Sequence, residues 1–71
     1  MLEQILEKPK RVGLFRRRGI YAIETRHAVY TRAKVIDRTG REILIIWSCR
    51  GRVEKCSLPI SEVLYAHRYR E

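Results

Sequence analysis

Cations are the residues of this chain whose number and type point most directly to a function. The 71 residues include 12 Arg and 4 Lys, and the formal net charge is +8. A field of this sign attracts phosphate polymers and speeds their association. Arginine also binds phosphate in a bidentate manner and stacks on bases, whereas lysine would serve solubility equally well. The composition therefore predicts a protein that binds a polyanion, and the alternative is a solvated basic surface.

The cations predicted to bind nucleic acid fall into two groups. The first is a run without an acid after Glu7, and besides Lys8 it contains Lys10, Arg11, Arg16, Arg17 and Arg18. The second group contains Arg32, Lys34, Arg38 and Arg41. Crowded charges of one sign repel each other, so a fold tolerates them most readily when a partner supplies the opposite charge. The alternative for the first group is a solvated turn in a basic protein.

Two tyrosines are predicted to offer stacking surfaces among these cations. Alternation along a strand places Tyr30 on the same side as Arg32 and Lys34, and Tyr21 lies in the preceding strand. Bases stack on such rings with roughly 1–3 kcal/mol each. Either tyrosine could instead be a half-buried sheet residue. Gln4 is the only Asn or Gln side chain, so we expect little reading of base edges.

No set of residues in the sequence indicates catalysis or a metal site. Cys49 and Cys56 lack the short spacing of zinc modules, and His27 and His67 lie 40 residues apart. Asp37 is the only aspartate, and no Ser, His or Cys has a spacing typical of an activated nucleophile. We therefore expect neither an enzyme nor a cofactor. The two cysteines could form one disulfide.

Length and hydropathy restrict the chain to one small domain over residues 1–71. An apolar fraction of 45% excludes a disordered tail. The longest apolar stretch, residues 43–47, is far shorter than the roughly 20 residues needed to cross a bilayer. The first residues lack the basic opening and apolar centre of a secretory signal. We expect a cytoplasmic protein that does not enter a membrane.

The first elements predicted to position the cations are a helix and a hairpin. Apolar residues in the segment 2–8 have the spacing of one helical face, which predicts a short helix that Pro9 ends. Alternation then predicts a hairpin between residues 12–15 and 20–23, with an arginine-rich turn at residues 16–19.

Three longer strands are predicted to follow. Residues 28–36 should form a strand whose odd-numbered side chains face inward. Residues 41–48 should form the central strand, covered on both sides, because its apolar run does not alternate. Trp47 in this run, together with Phe15, is expected in the core. An Arg-Gly turn should lead into a further strand over residues 52–58.

The end of the chain is predicted to be less regular. Residues 61–64 should form one helical turn or a last short strand, and residues 65–71 a polar tail. About five short strands behind an N-terminal helix predict an all-β domain, a small five-stranded SH3-like or Sm-like barrel. An OB-fold usually needs a longer chain, and a helix-turn-helix would need helical periodicity that this sequence lacks.

In order and pattern the chain resembles a WYL domain, the SH3/Sm-like module of bacterial transcription regulators and some CRISPR-associated proteins. The segments that carry the resemblance are the initial helix with Val12-Gly13-Leu14-Phe15, Arg26-His27-Ala28-Val29-Tyr30, the glycine-led residues 40–47, and residues 54–63. The chain has Glu42-Ile43-Leu44 in place of the family's Trp-Tyr-Leu, and Glu62-Val63 in place of its Arg-Ile pair. No ligand site is therefore carried over. The resemblance implies a barrel that binds nucleic acid or a nucleotide-like ligand through basic residues.

Together these features predict a small protein that binds DNA or RNA with little sequence preference. Arginines would hold backbone phosphates and aromatic rings would stack on bases, in transcription regulation or nucleic-acid packaging. The alternative is a protein-interaction or oligomerisation module. In that case an open edge of the barrel would pair with another chain or a second copy, and the basic face would meet an acidic partner.

Overall fold

Six antiparallel strands account for most of the structure, which confirms the prediction of a mainly β protein. The computed structural model describes residues 2–69, with side chains from residue 8 onward. The strands are β1 (Leu2–Glu7), β2 (Ile20–Thr25), β3 (Val29–Arg38), β4 (Glu42–Cys49), β5 (Arg52–Pro59) and β6 (Val63–Tyr69). They form one sheet in the order β1-β6-β2-β3-β4-β5, so the fold has one strand more than predicted.

The N-terminal segment is a strand, and the prediction of a helix there is wrong. β1 pairs with β6, and Leu6 lies opposite Ala66 in this register. A helix of this length is unstable by itself, whereas a strand gains a ladder of hydrogen bonds along the edge of β6. The segment ends as predicted before Pro9, where the Lys8 N–H donates to the Leu64 carbonyl oxygen at 2.9 Å.

Residues 10–19, which we call the arginine loop, do not form half of a hairpin. A 3-10 turn over Val12–Leu14 takes the place of the predicted strand. Both edges of β2 are occupied, by β3 on one side and β6 on the other, so this segment cannot form the predicted hairpin with β2. It is held instead by Phe15, whose ring is fully buried 5.0 Å from the ring of Tyr21. The prediction that Phe15 belongs to the core is confirmed.

Tight turns join the strands from β2 to β5. Between β2 and β3, the Thr25 hydroxyl oxygen accepts hydrogen bonds from the backbone N–H groups of His27 and Ala28. Between β4 and β5 the loop has two residues, Arg50 and Gly51, with φ of 52° and 78°. Two consecutive positive φ angles define a type I′ turn, whose twist matches that of the flanking strands.

A β-bulge in β3 changes which side chains reach the core. The register with β2 shifts between Tyr30 and Ala33, and Arg32 has a left-handed backbone with φ of 51°. Ala33 is buried as predicted, but Val29 is 64% exposed. Tyr30 packs against the core in its place. A bulge inserts one extra residue and so reverses the alternation, which makes the predicted inward side wrong before the bulge.

β6 occupies most of the segment that was predicted to be a polar tail. It follows a 3-10 turn over Ile60–Glu62 and lies between β1 and β2. Val63 is 3% exposed and Ala66 is fully buried. The prediction of a polar tail is therefore wrong for residues 65–69. This segment is a strand, and its side chains complete the core next to β2.

The core covers one face of the sheet, which we call the inner face. Its buried hydrophobic residues are Phe15, Tyr21, Ile23, Ala33, Val35, Ile43, Ile45, Leu58, Val63 and Ala66. Trp47 is half-buried and packs against them, in agreement with its predicted role. The central strand was predicted to be covered on both sides, but Leu44 and Ile46 on its other side are only half-buried. We call that other side of the sheet the outer face.

Gly19 lies where the arginine loop enters β2, and we expect its replacement by alanine to destabilise the fold. A Cβ atom there would lie 2.7 Å from Tyr21 Cε1 and 3.0 Å from the Arg16 carbonyl oxygen. The Tyr21 ring is fully buried and cannot move aside freely. Gly19→Ala should lower the free energy of unfolding by about 1–3 kcal/mol, measured by urea denaturation. Gly40→Ala is the control, because a Cβ there meets nothing within 4 Å; equal losses would contradict this account.

Candidate nucleic-acid interface

Hydrogen bonds fix the backbone of the arginine loop against β2 and β3. The Arg18 N–H donates to the Val35 carbonyl oxygen at 2.7 Å, and the Val35 N–H donates to the Gly19 carbonyl oxygen at 2.9 Å. The Arg16 N–H donates to the Tyr21 hydroxyl at 2.9 Å. All these bonds use backbone donors, so the exposed side chains of three consecutive arginines project from a fixed backbone.

Arg38 lies at the end of β3 and connects that strand to the loop. Its Nη1 atom donates to the Phe15 carbonyl oxygen at 2.8 Å and makes a longer contact to the Gly13 carbonyl oxygen at 3.4 Å. A hydrogen bond from a charged group to a half-buried carbonyl contributes more than a neutral one. Arg38 was predicted to act beside Arg32 and Lys34, but the structure places it with the arginine loop, which it helps to position.

One acid lies close to the cations of the loop. Arg17 Nη2 lies 3.1 Å from Asp37 Oδ1, and the two side chains are 65% and 54% exposed. An exposed ion pair contributes only about 0–1 kcal/mol, so Asp37 does not remove Arg17 from contact with a ligand. This is the one ion pair formed between side chains of residues 8–69.

Shallow grooves extend the cationic surface from the loop to the β3–β4 turn. Lys10 and Arg11 line one groove together with Gly40. Arg41 lines a second groove together with Gly40 and Ile60. Because Gly40 borders both grooves, the structure brings Lys10, Arg11 and Arg41 to one end of the molecule.

The two tyrosines predicted to stack on bases both point toward the core. Tyr21 is fully buried, so its ring has no open face and that prediction is wrong. Tyr30 is half-buried and its ring contacts Trp47 edge to face, with 4.8 Å between the centroids. Burial raises the pKa of the Tyr30 hydroxyl and the nearby Cys56 thiol raises it further. The bulge at Arg32 separates Tyr30 from the exposed cations that it was predicted to accompany.

The outer face of the sheet carries the remaining cations of the second group. Arg32 and Lys34 are both exposed. The strand register places Lys34 in one row with Ile20 of β2 and Ile46 of β4. Lys55 extends this row to β5 and is also exposed. The outer face therefore combines half-buried apolar side chains with exposed cations.

Sequence reasoning missed a line of rings along β6 on the same face. Tyr65, His67 and Tyr69 occupy alternate positions of this strand. The Tyr65 and His67 rings are parallel within 6°, with 5.9 Å between centroids. The guanidinium carbon of Arg32 lies 5.1 Å from the centre of the Tyr69 ring. Alternate residues of a strand lie on the same face, so the pattern Tyr-x-His-x-Tyr predicts this line of rings once the segment is assigned to a strand.

The cysteines lie on neighbouring strands but do not meet. Both are free; Cys49 lies opposite Arg52, whereas Cys56 lies opposite Ile45. Four positions along the strands separate them by about 13 Å, which is too far for a disulfide. Burial raises the pKa of the Cys56 thiol, partly offset by a hydrogen bond with Tyr30. Within the described part of the chain, no three His, Cys, Asp or Glu side chains gather around a common point.

Comparison of the chain with protein-family models, curated proteins and solved structures gave no match. Among residues 2–69 there is no helix of the length and hydropathy required to span a bilayer. Because a fold does not fix a function, the exposed cations and rings are the guide to what this protein binds.

Proposed function

We propose that this chain is a small nucleic-acid-binding protein of the SH3-like or Sm-like barrel class that holds backbone phosphates with its arginine loop. The observation that carries the proposal is the combination of a fixed loop backbone with exposed cations. Hydrogen bonds hold the loop against β2 and β3, so the backbone keeps the three arginines close together although their like charges repel each other. Closely spaced phosphates would supply the opposite charge that Asp37, the partner of Arg17, provides only in part.

The strand order supports the barrel class. β2 to β5 form an antiparallel meander, and β6 returns beside β2 after a short 3-10 turn. The arginine loop covers the core through Phe15, so the inner face is enclosed by chain segments as well as by strands. This arrangement agrees with the barrel that the sequence pattern predicts, and a WYL domain would belong to the same class.

The proposed phosphate contacts combine the loop with the cations beside it and on the outer face. They are Lys10, Arg11, Arg16, Arg17, Arg18, Arg32, Lys34 and Arg41. Contacts to phosphate position a protein on nucleic acid without reading its sequence. The proposed activity is therefore binding of DNA or RNA with little sequence preference, as in nucleic-acid packaging or transcription regulation.

A salt series tests this proposal directly. Affinities for single- and double-stranded DNA and RNA of equal length would be measured by fluorescence anisotropy at increasing salt concentrations. If the protein neutralises four to six phosphates, a plot of log association constant against log salt concentration should have a slope of roughly −3 to −5. A slope near zero, or no binding at low salt, would contradict the proposal. An acidic peptide that binds as tightly at each salt concentration would instead favour an acidic protein partner.

The alternative of an oligomerisation module is favoured by one observation. β5 lies at the edge of the sheet, and its Val53 is 75% exposed. An unpaired edge strand can add a strand from another chain through backbone hydrogen bonds. Light scattering separates the two functions: a stable dimer that Val53→Lys dissociates, in the absence of nucleic acid, would favour oligomerisation.

A further inference from the structure

We infer that the outer face of the sheet is a stacking platform for unpaired bases, so that the protein binds single-stranded nucleic acid in preference to duplex. This inference rests on the proposed function and specifies which form of nucleic acid the protein takes. It is carried by the placement of Arg32, by the rings of β6 and by the cations beside them.

The bulge in β3 places Arg32 on the outer face at a conformational cost. Its φ of 51° lies in the left-handed region, which glycine adopts readily and arginine does not. The fold alone would therefore favour glycine at this position. Arginine there crosses β2 and reaches the Tyr69 ring on β6, 5.1 Å from its centre. Bulges commonly redirect a side chain toward a functional surface.

The Arg32–Tyr69 contact can receive a base. A guanidinium is planar and stacks on aromatic rings, and its opposite face can stack on a base. Two residues earlier on β6, the parallel rings of His67 and Tyr65 form a second aromatic surface, and Tyr65 is 39% exposed. Alternate residues of a strand are about 7 Å apart, so the exposed Tyr65 ring lies about 13 Å along β6 from Tyr69, a distance that a few nucleotides of an extended single strand can span.

The cations around the rings suit a single strand rather than a duplex. Lys34 is exposed on β3, two strands from the rings, where it can contact the backbone of a strand whose bases lie on them. Lys55 lies in the same row two strands further, on β5, where it can contact only nucleotides that extend beyond the rings. Glu24 is exposed and lies opposite Tyr65, which limits the platform at that end. In a duplex the bases are already stacked and paired, so the rings would contribute nothing to its binding.

A matched pair of glycine variants tests the platform. Arg32 and Arg50 are both exposed arginines with left-handed backbones, φ 51° and 52°. Each glycine variant removes one charge and one unfavourable conformation, but Arg50 lies in the β4–β5 turn rather than among the rings. Arg32→Gly should weaken binding of an oligothymidine by about 10-fold, as loss of one stacked base would. Arg50→Gly should weaken it by no more than about 3-fold through its charge.

Further measurements separate stacking from charge and from unfolding. Melting temperatures of both glycine variants should be unchanged or raised. Arg32→Lys retains the charge without the planar group, so it should lower affinity for the oligothymidine and leave the salt slope unchanged. Duplex of the same length should bind more weakly than single strand to the unaltered protein, and the two glycine variants should lose affinity for it equally.

The outcomes distinguish this inference from the proposed function. Equal losses of single-strand affinity in the two glycine variants would overturn the platform, and so would equal affinity of the unaltered protein for single strand and duplex. Both results would leave the proposed function standing, since they are measured on a protein that binds. Absence of binding to every nucleic acid in the salt series would overturn both.

Discussion

Replacing Phe15 by alanine is expected to lower the free energy of unfolding by about 3–5 kcal/mol. The ring is fully buried and packs against the ring of Tyr21 at 5.0 Å, so its removal leaves a cavity as well as losing buried apolar surface. A domain of this length has a total stability of roughly 4–10 kcal/mol. The variant should therefore retain only a small part of its stability, and the arginine loop should be released from the rest of the fold.

The neighbouring residue provides the control for this change. Leu14 is 36% exposed, and Leu14→Ala should cost less than about 1 kcal/mol. Urea denaturation measures both changes in stability. The salt series shows whether each variant keeps its affinity for nucleic acid and the salt dependence of that affinity. Equal destabilisation by the two variants would mean that Phe15 does not anchor the loop. A stable Phe15→Ala variant with undiminished affinity would also contradict the role given to the fixed loop.

Local patterns predicted the part of the fold in which neighbours in sequence are also neighbours in space. The hairpin from β4 to β5 follows from an apolar run, an Arg50-Gly51 turn and a second run of strand-forming residues. Strand β3, which precedes this hairpin, was also predicted over most of its length. In these cases the turn fixes which strands pair and in what register.

The errors occur where pairing is not local. β1 pairs with β6 across nearly the whole chain, and six residues of mixed pattern fit a helix as well as a strand. The segment Val12–Leu14 has the alternation of a strand but finds both edges of β2 occupied. The alternation of apolar and polar residues shows only that a segment can form a strand. Whether it does also depends on a neighbouring strand with a free edge, and the local sequence does not show which edges are free.

In the candidate site too, features that depend on residue type were predicted, whereas features that depend on the three-dimensional arrangement were not. Residue type alone identified the cations, because no fold can bury so many of them. Their grouping depended on the bulge at Arg32, and arginine gives no local signal for a left-handed backbone as glycine would. Tyr30 was therefore placed on the wrong face. Tyr65 and Tyr69 were missed because their segment was not predicted to be a strand.

Removing two arginines from the loop is expected to have the largest effect on binding. The double variant Arg16→Ala/Arg18→Ala should make the plot of log affinity against log salt concentration shallower by about 1.4–1.8, as expected for two lost phosphate contacts. At moderate salt the affinity should fall on the order of 10- to 100-fold. Stability should change little, because the hydrogen bonds of Arg16 and Arg18 that fix the loop come from backbone N–H groups. Arg17 is left in place so that Asp37 keeps its partner.

The matched control is Arg50→Ala/Arg52→Ala at the β4–β5 hairpin. It removes the same charge, and both of its residues are exposed, as Arg16 and Arg18 are. Each pair also contains one residue with a left-handed backbone, Arg18 with φ of 66° or Arg50 with φ of 52°, so the conformational penalty for alanine is the same. If net charge alone governed binding, the two double variants would lose equal slope and affinity. A clearly larger loss for the loop pair would show that the position of the arginines on the fixed loop, in addition to their number, determines where the phosphates bind.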